Sequence, residues 1–506
     1  NKLVHLVENI DGLNKNEDVK LNLNWVKRYS HMKVHTSLHL LCSIIPFPVT
    51  GGSIGDGRGR LDFDLESKPD KEEVLNKINE LIDNKKTVNV TLIGAGKFGS
   101  MFLSQAPYTK GLNVFTICDL NIDKAKKACL EVGWSEDQIN NTIFTEDFEK
   151  AINDDEVEVV VEATGHPSSG IKHARTCFKY GKHVIMVNVE ADVLAGPSLS
   201  AEANSAEVVF SMAYGDQPSL TLEIIEWARA SGFKVTAAGK GTKYLPEYHY
   251  STPKTVWDHY GLTSDEAEKA GMNSKMFNSF LDGTKSSLEM SAIANASGLN
   301  VPNTGLLFPP CGMDDLASLL KEKNKGGILE KNEQVEVVSS LERDGRPVFK
   351  DLRWGVYAVL QAPNDYAASC FKQYGMNTDQ SGEFSAMYKP FHLIGMELNT
   401  SIFSAALLKL PTGQTKYFKG DVVSVSKRNL KKGEKLDGEG GFTVWGKLIP
   451  ASTSLNLQAL PIGLANDMYL KNDINKDKII TWNDVEFDSN DEIINYRHQM
   501  ENKFRN

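Results

Sequence analysis

The chain predicts an α/β fold organised on a doubly wound parallel sheet. Two observations carry this reading: from Val88 onward short apolar runs alternate with helix-period stretches, and the first run opens into a glycine-rich turn, "GAGKFG". A third observation, the loss of that rhythm past Asp216 and a Gly- and Lys-rich character from about Tyr417, adds an α+β catalytic domain and a small β-rich C-terminal domain. The elements follow in order: strand 89–94, helix 97–106, strand 112–118, helix 121–132, strand 157–161, helix 168–180 and strand 183–187. Strands and helices at this spacing imply right-handed crossovers. Upstream, 75–86 reads as a helix ending in the polar "DNKK", which places a boundary near Lys86. At 506 residues and 41% hydrophobic the chain exceeds one core. The expected division is 1–86, 87–215, 216–416 and 417–506.

Composition excludes several functions. A formal net charge of −10 argues against nucleic acid as the main ligand, because phosphate backbones select basic surfaces. The six cysteines are scattered without a CxxC pair, which suits free thiols in a reducing compartment. No apolar run approaches the roughly 20 residues of a membrane span, and no signal peptide is visible. The expectation is a cytoplasmic homo-oligomer that acts on a small molecule.

The glycine turn is the strongest local signal. In "TLIGAGKFGSMF", Gly94 suits the tight turn, Gly96 allows a pyrophosphate to approach the backbone, and Gly99 permits close helix–strand packing. Lys97 and Phe98 lie inside the same loop. Asp119, 20 positions after Gly99, ends the second strand where the acid of a Rossmann dinucleotide site stands. That carboxylate would bond the ribose hydroxyls of NAD and repel the extra phosphate of NADP. Asn121, Lys124, Lys126 and Lys127 could offset the repulsion if Asp119 turns away, or the lysines could be a solvated helix face. Thr164, Gly165 and His166, in "VVEATGHPSSG", follow another strand and would face the nicotinamide half.

A nicotinamide enzyme needs a group to hold and protonate the carbonyl oxygen, and cations if its substrate is phosphorylated. Lys240 and Lys243 sit on the turn "AAGKGTKYLP", and "FLDGTKSSLEM" supplies Asp282, Lys285 and Glu289. Lys285 and Glu289, four apart, would share a helix face, either as a surface ion pair or as site residues. Asn188 and Glu190 lie just past a strand end. Glu190 or Asp216 could join Asp282 around a divalent metal, magnesium or manganese. His249 and His259 read as ordinary loop histidines.

These motifs, with "HVIMVNVEADVLAGP", "AYGDQP", "VEVVSSLERDGRPVF" and "YKPFHLIGMEL", resemble NAD(P)-dependent oxidoreductases related to homoserine dehydrogenase that carry a SAF-type C-terminal domain. The resemblance covers about four fifths of the chain. One branch, the deoxyxylulose phosphate reductoisomerase-like enzymes, implies an NADPH-dependent step to methylerythritol phosphate for isoprenoids, usually with a divalent metal. It weights the cofactor toward NADP. By the same resemblance Lys240 stands where homoserine dehydrogenases have an asparagine, and Asp282 and Lys285 match an Asp–Lys pair, three apart here rather than four. The lysine of those enzymes' asparagine–lysine dipeptide is replaced by Val189, which argues against homoserine as substrate.

The N-terminal "NWVKRYSHMKVHTSLHLLCSIIPFPVTGGSIGDGRGRLDFDLE" looks like part of the alanyl-tRNA editing domain. By that resemblance His35 and His39, one helical turn apart, would be two of four zinc ligands. No later CxxxH motif supplies the others, and residues 1–86 balance 13 Lys+Arg against 13 Asp+Glu. The zone reads as a truncated or fused remnant without catalytic zinc. Three functions therefore compete: a carbonyl oxidoreductase, an editing hydrolase, and a non-catalytic sensor with a carbohydrate-binding tail.

Overall fold

A computed structural model describes residues 25–45, 49–55, 57–64, 72 and 87–505. The expected helix over 75–86 lies outside the described residues. The chain divides into two compact units, 1–86 and 87–506.

In the first unit a helix, Trp25–Ile44, accompanies an antiparallel hairpin of β1 (Val49–Gly55) and β2 (Arg58–Phe63). The hairpin lies tightly on the helix: a Cβ at Gly59 would come within 2.7 Å of Val34 and 2.9 Å of Leu38. His35 is exposed on that helix.

The second unit starts with a six-stranded parallel sheet in the order β5-β4-β3-β6-β7-β8. The strands are β3 (Val88–Ile93), β4 (Leu112–Cys118), β5 (Ile143–Thr145), β6 (Val159–Glu162), β7 (His183–Met186) and β8 (Phe210–Met212). The chain begins in the middle, winds to one edge, and returns to the other side. The strand order therefore reverses between β3 and β6, where a doubly wound sheet opens a crevice at its carboxyl edge. Both β6 and β7 are buried throughout, as expected for strands covered by helices on two faces. Two short helices, Glu136–Asn140 and Phe148–Ile152, and the brief β5 fill the stretch between 132 and 157 that the apolar pattern left unassigned.

The next layer is a four-stranded mixed sheet, order β10-β9-β11-β12, of β9 (Lys234–Thr242), β10 (Gln334–Ser339), β11 (Val356–Gln361) and β12 (Phe384–Lys389). Only β9 and β10 run parallel; β11 is antiparallel to both β9 and β12. Helices Gln217–Ala230 and Thr284–Ser297 pack on it. The second is buried from Thr284 to Ala296, apart from half-buried Lys285. Its small Ala and Ser side chains let it contact elements on every side.

Past residue 416 the chain is β-rich. β13 (Gly420–Ser426) pairs antiparallel with β15 (Val444–Pro450), and β14 (Lys435–Asp437), β16 (Asn466–Leu470) and β17 (Val485–Glu486) form a three-stranded sheet. This region is bound into the rest of the unit. Asn295 Oδ1 accepts the N–H groups of Lys419 and Gly420 at 2.7 and 2.9 Å. The fully buried Arg497, on the last helix Glu492–Phe504, donates to Leu194 O at 2.9 Å and pairs with Asp421 at 2.6 Å. Among the described residues no helix is long and apolar enough to cross a membrane. All six cysteines are free thiols.

Candidate active site

Each glycine of the loop after β3 has a separate geometric reason. Gly94 adopts φ +96°, and a Cβ there would come within 2.8 Å of the Ala163 carbonyl on the loop after β6. A Cβ on Gly99 would lie 2.5 Å from the Gly94 carbonyl, so only glycine lets the helix Lys97–Gln105 start this close to the strand. Gly96 faces open space. It is also the N-cap of that helix, and no side chain caps it. The first-turn N–H groups are therefore available at the positive end of the helix, an arrangement that receives a pyrophosphate. Lys97 and Phe98 form that first turn.

Asp119 braces the turn instead of swinging away. Its Oδ2 accepts the Ala95 N–H at 2.8 Å, and its Oδ1 accepts the Asn121 N–H at 2.9 Å. Two of the neighbouring lysines face other groups: Lys126 lies over the Phe144 ring and Lys127 pairs with Glu131 at 3.7 Å. A dinucleotide fits this cradle of uncapped N–H groups, an open Gly96 and a fixed carboxylate.

Across the crevice, Thr164 donates to buried Glu162 at 2.6 Å, and the other contact of that Glu162 oxygen is His173 Nδ1 at 3.0 Å. Gly165 has φ +69° and His166 caps the helix Pro167–Lys179. Asn188, buried at the start of the helix Val189–Ser205, donates to the His166 carbonyl at 2.9 Å and so ties the loops after β6 and β7 together.

Glu190, on the first turn of that same helix, receives Lys285 from the catalytic layer, Nζ to Oε1 at 2.5 Å. Lys240, on β9, pairs with Glu289 and donates to Gln217 Oε1 at 2.9 Å. Lys285 and Glu289 do share a helix, but each takes its ion partner from a distant element, and both pairs are largely buried. The surface-pair reading of these two residues is thereby replaced. Burial alone would disfavour a charged Lys285; Glu190, Glu289, Glu439 and Asp216 outweigh it and hold the ammonium well above its ordinary value. Asp216 is raised by burial and then by Glu289. Glu439 is pushed up to about 8, first by desolvation and then by Glu190. The site thus sets one carboxyl, Glu439, that holds its proton near neutrality, and a second, Asp216, shifted in the same direction, beside a firmly protonated lysine.

Asp282 is engaged otherwise than the metal reading requires. One oxygen accepts the Thr284 N–H at 2.9 Å and the other pairs with Lys427 Nζ at 2.8 Å. Glu190 is likewise taken by Lys285. A divalent ion would compete with a buried ammonium at either carboxylate, so these residues do not fit magnesium or manganese. Among the described residues no three His, Cys, Asp or Glu side chains gather as a metal site.

Some contributors escaped the sequence reading. Lys427 and Glu439 reach the site from the β-rich region, the first donating also to Ser251 O and Gly441 O at 2.8 Å, the second accepting from Ser279. His249 is not an ordinary loop histidine: it stacks on Trp445 at 3.9 Å, meets the Tyr244 hydroxyl at 2.9 Å and donates to the Asp282 carbonyl. Burial lowers its pKa. The sequence carried no period or spacing that could join these positions. Lys243, beyond the end of β9, donates to the His259 carbonyl and stands apart from the Lys240 pair.

Comparison with known proteins fits this division of labour. Residues 88–187 match the family model of the oxidoreductase family, NAD-binding Rossmann fold, and residues 215–398 match that of oxidoreductase DRL, catalytic domain. Among solved structures, levoglucosan dehydrogenase in complex with NADH and L-sorbose is 21% identical, with 31% of this chain and 44% of that one covered and a TM-score of 0.24. Myo-inositol dehydrogenase from Lactobacillus casei is 14% identical over 34% of this chain and 50% of its own, with a TM-score of 0.26. A curated relative of another kind is the alanyl-tRNA editing protein AlaX-M of Methanosarcina barkeri, 37% identical over 93 residues, 17% of this chain. The chain spans 38% of that protein's length.

Proposed function

We propose that this NAD(P)-dependent oxidoreductase, in which an NAD-binding Rossmann domain precedes a DRL-type catalytic domain, reduces the carbonyl group of a small molecule at the Lys285–Glu190 pair. The observation that carries the reading is the position of that pair: it links the catalytic helix to the helix that follows β7, at the carboxyl edge of the parallel sheet that also carries the uncapped glycine loop after β3. When bound, the nicotinamide supplies or accepts the hydride. The chain's own residues do the rest. Lys285 Nζ presents positive charge and a proton to the oxygen that gains electron density, and Glu190 holds the ammonium in place. Lys240 and Glu289 form a second buried pair nearby, and a proton lost from Lys285 can be replaced from Glu439, whose carboxyl is pushed up to about 8.

The fixed Asp119 favours NAD over NADP, because a carboxylate held by two backbone N–H groups would meet a ribose phosphate with repulsion. The reductoisomerase resemblance favours NADP, and the two are separated by assaying Asp119→Ala with both cofactors. If Asp119 is an NAD anchor, the variant loses NADH affinity and gains NADPH affinity; unchanged preference refutes that role. The resemblance would also make deoxyxylulose phosphate the substrate and the tail a SAF-type domain, and this deserves one arm of a substrate panel.

The panel itself tests the main proposal: phosphorylated and free ketoses and aldehydes, followed by loss of reduced nicotinamide absorbance. Turnover that disappears in Lys285→Met while cofactor affinity stays intact supports the assignment. Full turnover in that variant overturns it.

A further inference from the structure

Glu162 closes β6 at the point where the strand order reverses, and it is fully buried. Its bonding runs through one oxygen. Oε1 accepts the Thr164 hydroxyl at 2.6 Å and meets His173 Nδ1 at 3.0 Å. Oε2 is buried with no partner among the described residues. An apolar side chain at this position would avoid stranding that oxygen, so stability alone does not account for an acid here. What the acid supplies is a fixed Thr164.

Thr164 stands at a junction. It is exposed at the crevice, while the carboxyl that holds its hydroxyl lies buried beneath it. The same hydroxyl oxygen receives the His166 N–H at 3.4 Å and the Asn188 amide at 3.5 Å. Asn188 holds the loop more firmly through the His166 carbonyl, at 2.9 Å. Its own Oδ1 accepts the Ala191 N–H at 3.2 Å and so caps the helix Val189–Ser205. The residue before that capped amide is Glu190, the partner of Lys285. Packing leaves the cap no slack, because a Cβ on Gly170 would lie 2.7 Å from Asn188 Nδ2 and 2.8 Å from the Ala191 Cβ. The approach of this loop to the glycine turn is set separately, by the ladder bond from the Ala163 N–H to the Ile93 carbonyl at 2.8 Å. Glu162 is thus joined by hydrogen bonds, through Thr164 and Asn188, to the helical turn that carries Glu190.

We propose that Glu162 is a positioning residue which, through Thr164 and Asn188, aligns the Lys285–Glu190 pair with the nucleotide crevice. The inference rests on the reading that this pair serves carbonyl reduction, and it adds the residue that sets the pair in place. Glu162→Met removes the acceptor at similar volume, and Thr164→Val removes the donor at an exposed position. Each should lower kcat by about tenfold or more, since small displacements of a reacting group are costly, with the NADH dissociation constant within about twofold of wild type. The double variant should be no slower than the slower single one, because both remove the same link. Thr164→Ser keeps the hydroxyl and should recover kcat. Hydrogen exchange on the full-length protein supplies a readout that needs no turnover. Amides of residues 164–166 and 189–192 should exchange about tenfold or more faster in Glu162→Met and Thr164→Val than in wild type or Thr164→Ser. Should Glu162→Met not fold, Thr164→Val against Thr164→Ser decides alone. Exchange and kcat equal to wild type in Thr164→Val overturn the proposal, as do losses that multiply in the double variant. If exchange responds as expected but the wild type turns over no carbonyl compound, the reductase reading fails and the link from Glu162 to the helix start stands.

Discussion

Replacing Lys427 by methionine isolates what the β-rich region contributes to the catalytic layer. The ammonium is 2% exposed and makes three bonds of 2.8 Å, to Asp282 Oδ2, Ser251 O and Gly441 O. Methionine fills much of the same volume, so the loss is mainly electrostatic. Breaking a buried ion pair from one side costs about 3–5 kcal/mol, because the remaining charge stays desolvated. The Gly441 carbonyl, left without a partner, adds roughly 1 kcal/mol, while Ser251 O keeps its bond from Asn278 Nδ2 at 3.1 Å. The expected total is about 4–6 kcal/mol. Urea unfolding followed by tryptophan fluorescence should show the midpoint fall by about 1–2 M at a slope of 3 kcal/mol/M or more. A second variant separates charge from packing: Lys427→Met with Asp282→Asn removes the orphaned carboxylate and should recover about 2 kcal/mol or more. A loss below ~1 kcal/mol in the single variant, or no recovery in the double, would refute the reasoning.

Other consequences can be measured separately. Gly99→Ala places a methyl against the Gly94 carbonyl and should raise the NADH dissociation constant about tenfold or more, with about 1–3 kcal/mol lost in stability; unchanged affinity would show that the helix start need not sit so close. Glu190→Gln removes the carboxylate that holds Lys285 and should lower kcat by about 100-fold or more, read by steady-state kinetics, with little change in cofactor affinity. Glu439, with its pKa near 8, holds a proton at neutrality; activity should fall as pH rises through that value, and the limb should vanish in Glu439→Gln. Buried Asp192, raised from 3.8 to about 7 by desolvation against the Thr415 hydroxyl bond, affects stability with a definite sign. The folded state binds the extra proton between those values, so stability declines as pH rises from about 4 to 7 and then levels; the full gap corresponds to ~4 kcal/mol. Asp192→Asn should flatten that decline in urea titrations at pH 5 and pH 8.

The parallel sheet and its glycine loop were legible because both depend on local pattern. Apolar runs of β3, β4, β6 and β7 and the spacing from Gly94 to Asp119 are written within short stretches, and the structure has them where the spacing puts them. The stretch from 132 to 157 was not legible: β5 is three residues long and no more than half-buried, so it carries no period. Pairings at the candidate site were less legible still. The i,i+4 spacing of Lys285 and Glu289 suggested a bond between them, whereas their partners stand 95 and 49 residues away, at Glu190 and Lys240. Lys427 and Asp282 are separated by 145 residues, and only tertiary packing brings them together. His249 looked isolated for the same reason, since its stacking partner Trp445 belongs to the β-rich region.

The most direct measurement is an NADH titration of the full-length protein, followed by nicotinamide fluorescence, on wild type and on Gly94→Val. The variant puts a branched side chain at φ +96° and against the Ala163 carbonyl, within the crevice where the strand order reverses. The account predicts saturable binding with enhanced fluorescence in the wild type and its loss in the variant, while circular dichroism stays native. Absence of NADH and NADPH binding in the wild type, or undiminished binding in Gly94→Val, would contradict it.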